Sequence, residues 1–220
     1  MGKRIYIVVF MMALAAVFGG AVTALQLAAR DTIEQNRHLK EQRQLIRLFE
    51  LGNPDEMTPK ECARVVDEQI VRGETQLVDP QTGNTVGLIK AYSDAERTTL
   101  KAYGLKFRGL GFWAPIEGIL AINPEGTRTL GLTILEQQET PGLGGRIEEQ
   151  WWREQFDVKL DITPPAGEQQ SYLDMAGAEF EPGPGDRKFA AITGATQTSM
   201  AMERILNNAV ATYHRAREQE

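Results

Sequence analysis

The sequence predicts an α+β domain behind a single membrane-spanning N-terminal helix, and three observations predict it. Ile5 to Ala29 carries no charged residue, and it exceeds the roughly 20 helical residues that a hydrocarbon core requires. Beyond it, helical and strand-like runs mix without the regular alternation of a doubly wound parallel sheet. The chain then closes on one long helical pattern, from about Ala195 to Arg217.

The apolar run reads as a retained anchor rather than a signal peptide, whose apolar region spans about 7–15 residues. Val22-Thr23-Ala24 offers small residues for cleavage, which is the alternative. Lys3 and Arg4 precede the run, and Arg30, Arg37 and Lys40 follow it, so the positive-inside rule is not decisive. A tail of four residues ahead of an anchor stays inside, which puts residues 30–220 on the outer face of the membrane. The expected division is a cytoplasmic tail 1–4, a transmembrane helix 5–29, a helical membrane-proximal segment 30–72 and a domain 73–220.

From Asp31 to Leu51 apolar residues recur at near-helical spacing among charged ones and stop at Gly52 and Pro54. Thr58-Pro59-Lys60-Glu61 is a capping box with proline at the first helical position, opening a helix to about Val71. Cys62, Val65, Val66 and Ile70 share a face of it, which makes Cys62 a buried small residue. Thr75 to Val78 and Thr85 to Tyr92 flank the turn Asp79 to Asn84 and predict a hairpin. Gly104 to Gly111 is glycine-spaced and basic. Ile116 to Ile122 and Leu130 to Leu135 surround Asn123-Pro124-Glu125-Gly126, a second hairpin. Arg146 to Phe156 fits one helical side only approximately, with Trp151 and Trp152 as packing residues or one of them flanking a ligand. Val158 to Ile162 alternates as a strand, Pro164 to Gly167 and Glu181 to Asp186 read as loops, and Phe189 to Ile192 is strand-like.

The formal charge of −6 gives no field for phosphate backbones, so nucleic acid is excluded as a general partner. One cysteine and two histidines leave almost no material for a metal centre or a histidine-based triad.

The chemistry concentrates in Thr193-Gly194-Ala195-Thr196-Gln197-Thr198-Ser199. Four hydroxyls gather where a helix begins, and helix N-termini hold phosphate through unpaired N–H groups and the dipole. Thr193 or Thr196 could equally act as a plain helix cap. Glu139-Thr140-Pro141-Gly142-Leu143-Gly144-Gly145 is the second informative stretch, where three glycines and a fixed proline allow close approach to a flat ring or a tight strand-to-helix connection.

Thr193 to Thr198 resembles the S/T-G-A-S/T-x-T signature of the FMN-binding subunit family shared by the G subunit of the Rnf complex and the C subunit of the Na⁺-translocating NADH:quinone reductase (Nqr). Glu139 to Gly144 is similar to that family's E-T-P-G-L-G hallmark. The resemblance implies FMN joined by a phosphoester to the last threonine of the signature, Thr198, with Thr193, Gly194, Ala195 and Thr196 beside it. It places Glu139, Thr140, Pro141, Gly142, Leu143 and Gly144 against the flavin, Leu143 giving apolar contact. One departure stands at Ala190, where the flavin-transferase recognition pattern commonly has aspartate.

The flavin would carry the redox chemistry, leaving no catalytic side chain and no metal ligand to assign. The helix dipole contributes only about 0.3–1 kcal/mol to a phosphate, so a covalent bond would do the retaining. The implied function is electron transfer as a redox subunit of an Rnf- or Nqr-type complex, with its other membrane subunits as partners and a flavin transferase for maturation. The isolated chain is expected to show little turnover. A flavin-free assembly subunit and a stand-alone periplasmic flavin reductase are the competing expectations.

Overall fold

The computed structural model describes residues 2–166 and 171–218, and the chain divides into two compact units, Met1–Glu41 and Gln42–Glu220. Gly167 of the expected loop 164–167 lies outside the described residues.

Helix α1 spans Gly2–Leu48 without interruption, running through the expected membrane span into the amphipathic pattern that follows it. The physical reason is the absence of glycine or proline between Ala21 and Leu51, so nothing breaks the hydrogen-bond ladder. In the first unit the apolar part of α1 is exposed along its length, and it is long and apolar enough to cross a membrane. Thr23 there donates its hydroxyl to the Gly19 carbonyl at 2.8 Å, which satisfies it within the helix.

The second unit opens with the end of α1, and the expected cap follows. Thr58 accepts from the Glu61 N–H, Glu61 accepts from the Thr58 N–H, and helix α2 runs Pro59–Gln69 with Cys62 and Val66 buried. Five strands form one antiparallel sheet in the order β1-β2-β3-β4-β5: β1 Ile70–Val78, β2 Thr85–Tyr92, β3 Leu100–Leu110, β4 Pro115–Ile122 and β5 Thr129–Glu136. Both expected hairpins are present, each closed by its turn. Asn123 Oδ1 accepts from the N–H groups of Thr127 and Arg128, and Asp79 Oδ1 accepts from Gln81.

Strand β3 is the central one. Lys106 and Arg108 point away from the side that Leu105 and Phe107 bury, an alternation hidden in the sequence by Gly104 and Gly109. On one face lies the main core, where Leu105, Phe107 and Leu120 meet Met202, Leu206 and Val210 of helix α4, Thr196–Arg217. The opposite face is covered by the end of α1 and by α2. A Cβ on Gly104 would lie 2.8 Å from Phe49 and 3.1 Å from Ile119.

Two expectations are corrected. Val158 to Ile162 makes no strand, only a single bridge between Asp161 and Arg128, because Lys159 adopts φ +66° and turns the chain out of the extended region. Arg146 to Phe156 is no single helix either: a 3-10 turn Gly144–Glu148, the short α3 Gln150–Arg153 and a second 3-10 turn Glu154–Phe156 succeed one another. Glu149 at ψ 145° breaks the ladder. Trp152 is accordingly buried, in contact with Phe156 and Phe189 at centroid separations of 5.4 and 6.0 Å, whereas Trp151 stands 39% exposed. A short parallel pair, β6 Asp174–Ala176 and β7 Lys188–Ala190, delivers the chain to α4.

Candidate functional site

The start of α4 is held by three neighbouring segments. Strand β7 ends at Ala190, whose N–H donates to Gln155 Oε1 at 2.6 Å and whose carbonyl accepts from the Trp152 indole at 3.1 Å. Ala190 is thus fixed on both sides of its peptide and is itself 2% exposed. Gly194 turns the chain with φ +79°, a conformation glycine takes without strain. Helix α4 then begins at Thr196 after Ala195, and no side chain caps it.

The anticipated threonine caps are therefore absent. Ser199 instead accepts from the Ile192 N–H at 2.9 Å and donates to the Ala195 carbonyl at 3.1 Å, closing the turn from inside.

Thr193, Gly194 and Thr196 are exposed, whereas Ala195 and Thr198 are buried. Thr198 is 2% exposed and its hydroxyl donates to Glu139 Oε2 at 2.7 Å. Glu139, 4% exposed, also accepts at Oε1 from the N–H groups of Phe112 and Trp113 at 2.9 and 3.0 Å. One carboxylate therefore ties the β3–β4 turn, the loop after β5 and α4 together. Charge-assisted bonds of this kind are about twice as strong as neutral ones. Gly144 packs directly on this pair: a Cβ there would collide with the Thr198 hydroxyl and stand 2.9 Å from Glu139 Oε2.

The loop itself is a tight connection. Leu143 and Gly145 both donate to the Thr140 carbonyl, at 3.1 and 3.0 Å. Thr140, Pro141, Gly142 and Leu143 face solvent. Leu143 reaches the other motif, since its Cδ2 would lie 3.3 Å from a Cβ on Gly194. The two stretches singled out in the sequence, 59 residues apart at Glu139 and Thr198, thus converge on one surface. Sequence reasoning reached Ser199 only as one of four clustered hydroxyls, and did not reach the amides of Phe112 and Trp113 or the Gln155 side chain. Their roles are set by backbone geometry, which leaves no residue pattern to read. Among the described residues no group of three or more His, Cys, Asp or Glu could hold a metal.

Residues 111–211, which span the β3–β4 turn, the loop and most of α4, match the family model of the FMN-binding domain. Over these residues the chain is similar to the FMN-binding-domain family. This agrees with the resemblance carried by the two motifs. The C subunit of the Na⁺-translocating NADH-quinone reductase of Pasteurella multocida is 38% identical over 95 residues, 43% of this chain and 35% of that relative. Its counterpart in Chlamydia trachomatis is 31% identical over 127 residues, 53% of this chain and 40% of the relative. The Vibrio alginolyticus counterpart is 24% identical over 163 residues, covering 61% of this chain and 64% of the relative. The chain therefore spans between about a third and two thirds of the length of these relatives. The crystal structure of the corresponding reductase component from Parabacteroides distasonis aligns with a TM-score of 0.62 at 22% identity, over 85% of this chain and 96% of that one. The α+β fold is shared.

The start of α4 presents residues that fit an FMN phosphate. The first turn of a 22-residue helix carries unpaired N–H groups and the positive dipole end, with no side chain capping them. The exposed hydroxyl of Thr196 stands in that turn. A phosphate there would add the anion that the helix end favours.

Proposed function

We propose that this chain is a membrane-anchored electron-transfer subunit that carries covalently bound FMN within an Nqr- or Rnf-type complex, its domain on the outer side of a bacterial inner membrane. FMN supplies the redox chemistry when bound, and the protein's part is to tether it, orient it and set its surroundings. The observation that carries the reading is the exposed threonine hydroxyl at the uncapped start of α4, within a domain of the FMN-binding family. Support for the anchor comes from α1, and support for the complex from the relatives in the Na⁺-translocating reductase.

Access is the argument for which hydroxyl takes the ester. The motif resemblance puts it on Thr198, but that hydroxyl is buried, bonded to Glu139 and covered by Gly144. Thr196 needs no rearrangement to meet a flavin transferase, and the geometry favours it. Thr198 keeps one supporting observation as the second reading: the carboxylate at 2.7 Å is placed to accept its proton if the loop opens.

The test is in-gel flavin fluorescence after denaturing electrophoresis of the full chain, co-expressed with a flavin transferase. The parent band and Thr198→Ser should fluoresce, and Thr196→Ala should be dark. A dark Thr198→Ala beside a fluorescent Thr196→Ala, both folded by circular dichroism, would move the ester to Thr198. A dark parent with active transferase would overturn covalent attachment and leave the flavin-free assembly reading in its place.

A further inference from the structure

A cavity of about 480 Å³ opens between the end of α1, strand β5 and the short α3, and no residue of either FMN-site motif lines it. Its size falls within the range of small-molecule sites, about 300–1,000 Å³. Leu48, Leu130 and Leu132 give it an apolar wall, and the rest of its lining is charged or polar. Four carboxylates, those of Glu50, Asp55, Glu154 and Asp157, face two guanidiniums, Arg47 and Arg153. Arg47 is paired with Asp55 at 2.9 Å, and Arg153 Nε donates to the Glu148 carbonyl at 3.0 Å. With the first pair cancelled, Glu50, Glu154 and Asp157 outnumber Arg153. Lys101 reaches Glu50 only at 3.9 Å, from outside the cavity.

The second feature is Thr133, which lines the same cavity. It is 2% exposed, and its Oγ1 has no hydrogen-bond partner among the described residues, whereas a buried hydroxyl is ordinarily paired. Gly131 and Thr133 lie two apart in a regular stretch of β5 and share a face. A Cβ on Gly131 would lie 3.0 Å from Asp157 Oδ1 and 3.1 Å from Leu48 Cδ1. Glycine there lets the carboxylate come up against the strand, on the side that Thr133 presents. Gln44 fixes the end of α1 to the same strand, donating to the Ile134 carbonyl at 2.9 Å.

We propose that this cavity binds a small organic cation, a short alkyl chain bearing primary ammonium groups, with Asp157 and Thr133 accepting from the ammonium and the leucines covering the methylenes. An ammonium brings three donors and no acceptor, which matches a carboxylate beside an unpaired hydroxyl. Among the described residues no group of side chains could hold a bare metal, and no aromatic ring lines the cavity to receive a quaternary ammonium. An anion would meet the excess of carboxylates. Desolvation and the charges of Glu154 and Glu50, against Arg153, raise the Asp157 carboxyl to about 6, so the ligand would hold it ionised and bind less tightly as pH falls through that value. The site is independent of where FMN is attached.

The test is calorimetric titration of the detergent-solubilised full chain with putrescine at pH 7 and low salt, where saturable binding is expected. Asp157→Asn removes the charge with little change of shape and should weaken binding about tenfold. Thr133→Val removes a hydroxyl that bonds to nothing in the protein, so it should fold as the parent does and bind several-fold more weakly. Glu179→Gln, outside the cavity, should match the parent. At pH 5 the parent should lose affinity while Asp157→Asn changes little. Absence of saturable binding, or parent-like affinity in Asp157→Asn with both proteins folded by circular dichroism, overturns the proposal. Magnesium chloride binding with the same dependence on Asp157 and Thr133 overturns the organic ligand in favour of a bare ion.

Discussion

The hydroxyl of Thr198 donates to Oε2 of Glu139 at 2.7 Å, and neither residue is more than 4% exposed. The pair bridges the loop after β5 and the first turn of α4, and through Oε1 it also holds the turn between β3 and β4. Removing the carboxylate would leave three donors without a partner. A buried donor stripped of its acceptor costs about 1–3 kcal/mol. Glu139→Ala is therefore expected to lose about 3–5 kcal/mol by urea denaturation once partial relaxation is allowed. Glu139→Gln keeps an acceptor for the two amides and offers Thr198 an N–H to accept, so it should lose only about 1 kcal/mol. Equal losses for the two variants would show that the carboxylate does not act as this hub.

The Trp152 indole sets the chain direction into α4 from the other side, through the Ala190 carbonyl. Trp152→Phe should fill most of the volume but lose the hydrogen bond, at about 1–3 kcal/mol. Trp152→Ala adds the cavity and should cost about 3–5 kcal/mol. A phenylalanine variant as stable as the parent would mean that the indole N–H is replaced by water at no cost, and that packing alone places β7.

Much of this was legible from the residues. Asp79 to Asn84 and Asn123 to Gly126 announce their turns by composition. Thr58 and Glu61 announce a cap, and both motifs of the site stand out as sequence. What could not be read is what depends on partners distant in the chain. Strand β3 was obscured because Gly104 and Gly109 are small for packing reasons, against Phe49 and Ile205, and so break the alternation that marks a strand. The strand expected at Val158 to Ile162 failed on one residue, Lys159, whose left-handed backbone no side-chain pattern signals. At the site, the motif resemblance marks Thr198 for the ester, but residue chemistry alone does not separate it from Thr196. Only the arrival of Glu139 and Gly144 separates a sequestered hydroxyl from an open one.

Asp79, 1% exposed, accepts from the Arg215 guanidinium and the Thr82 hydroxyl at 2.7 and 2.6 Å. Burial alone would raise its pKa. The hydrogen bonds from Thr82, the Gln81 N–H and Arg215 outweigh this and lower it to about 2. A carboxylate held below its unfolded value near 4 contributes stability above pH 4 and loses it as pH falls toward 2. Asp79→Asn should therefore be destabilised at pH 6 and approach the parent at pH 2. Thermal melts across this range check it. A gap between the two proteins that does not narrow on acidification would show that shape, rather than charge, is what the site requires.

Asp157 behaves in the opposite sense. Its side chain is exposed and lines a cavity with Leu48, Leu130 and Leu132 but also Arg47, Glu50, Arg153 and Glu154, and partial desolvation there, reinforced by the charge of Glu154, raises its pKa to about 6 against the partial offset of Arg153. The folded state thus prefers the neutral acid. Stability from this preference is complete below the unfolded value near 4 and is lost as pH rises through 6, because the folded protein must then hold a charge it disfavours. Asp157→Asn cannot ionise, so it should match the parent near pH 4 and exceed it above pH 6, with the crossover between those values. Parallel unfolding curves at pH 4, 5, 6 and 7 measure this directly. An advantage for asparagine that is the same at every pH would come from hydrogen bonding within the cavity, and the raised pKa would have no part in it.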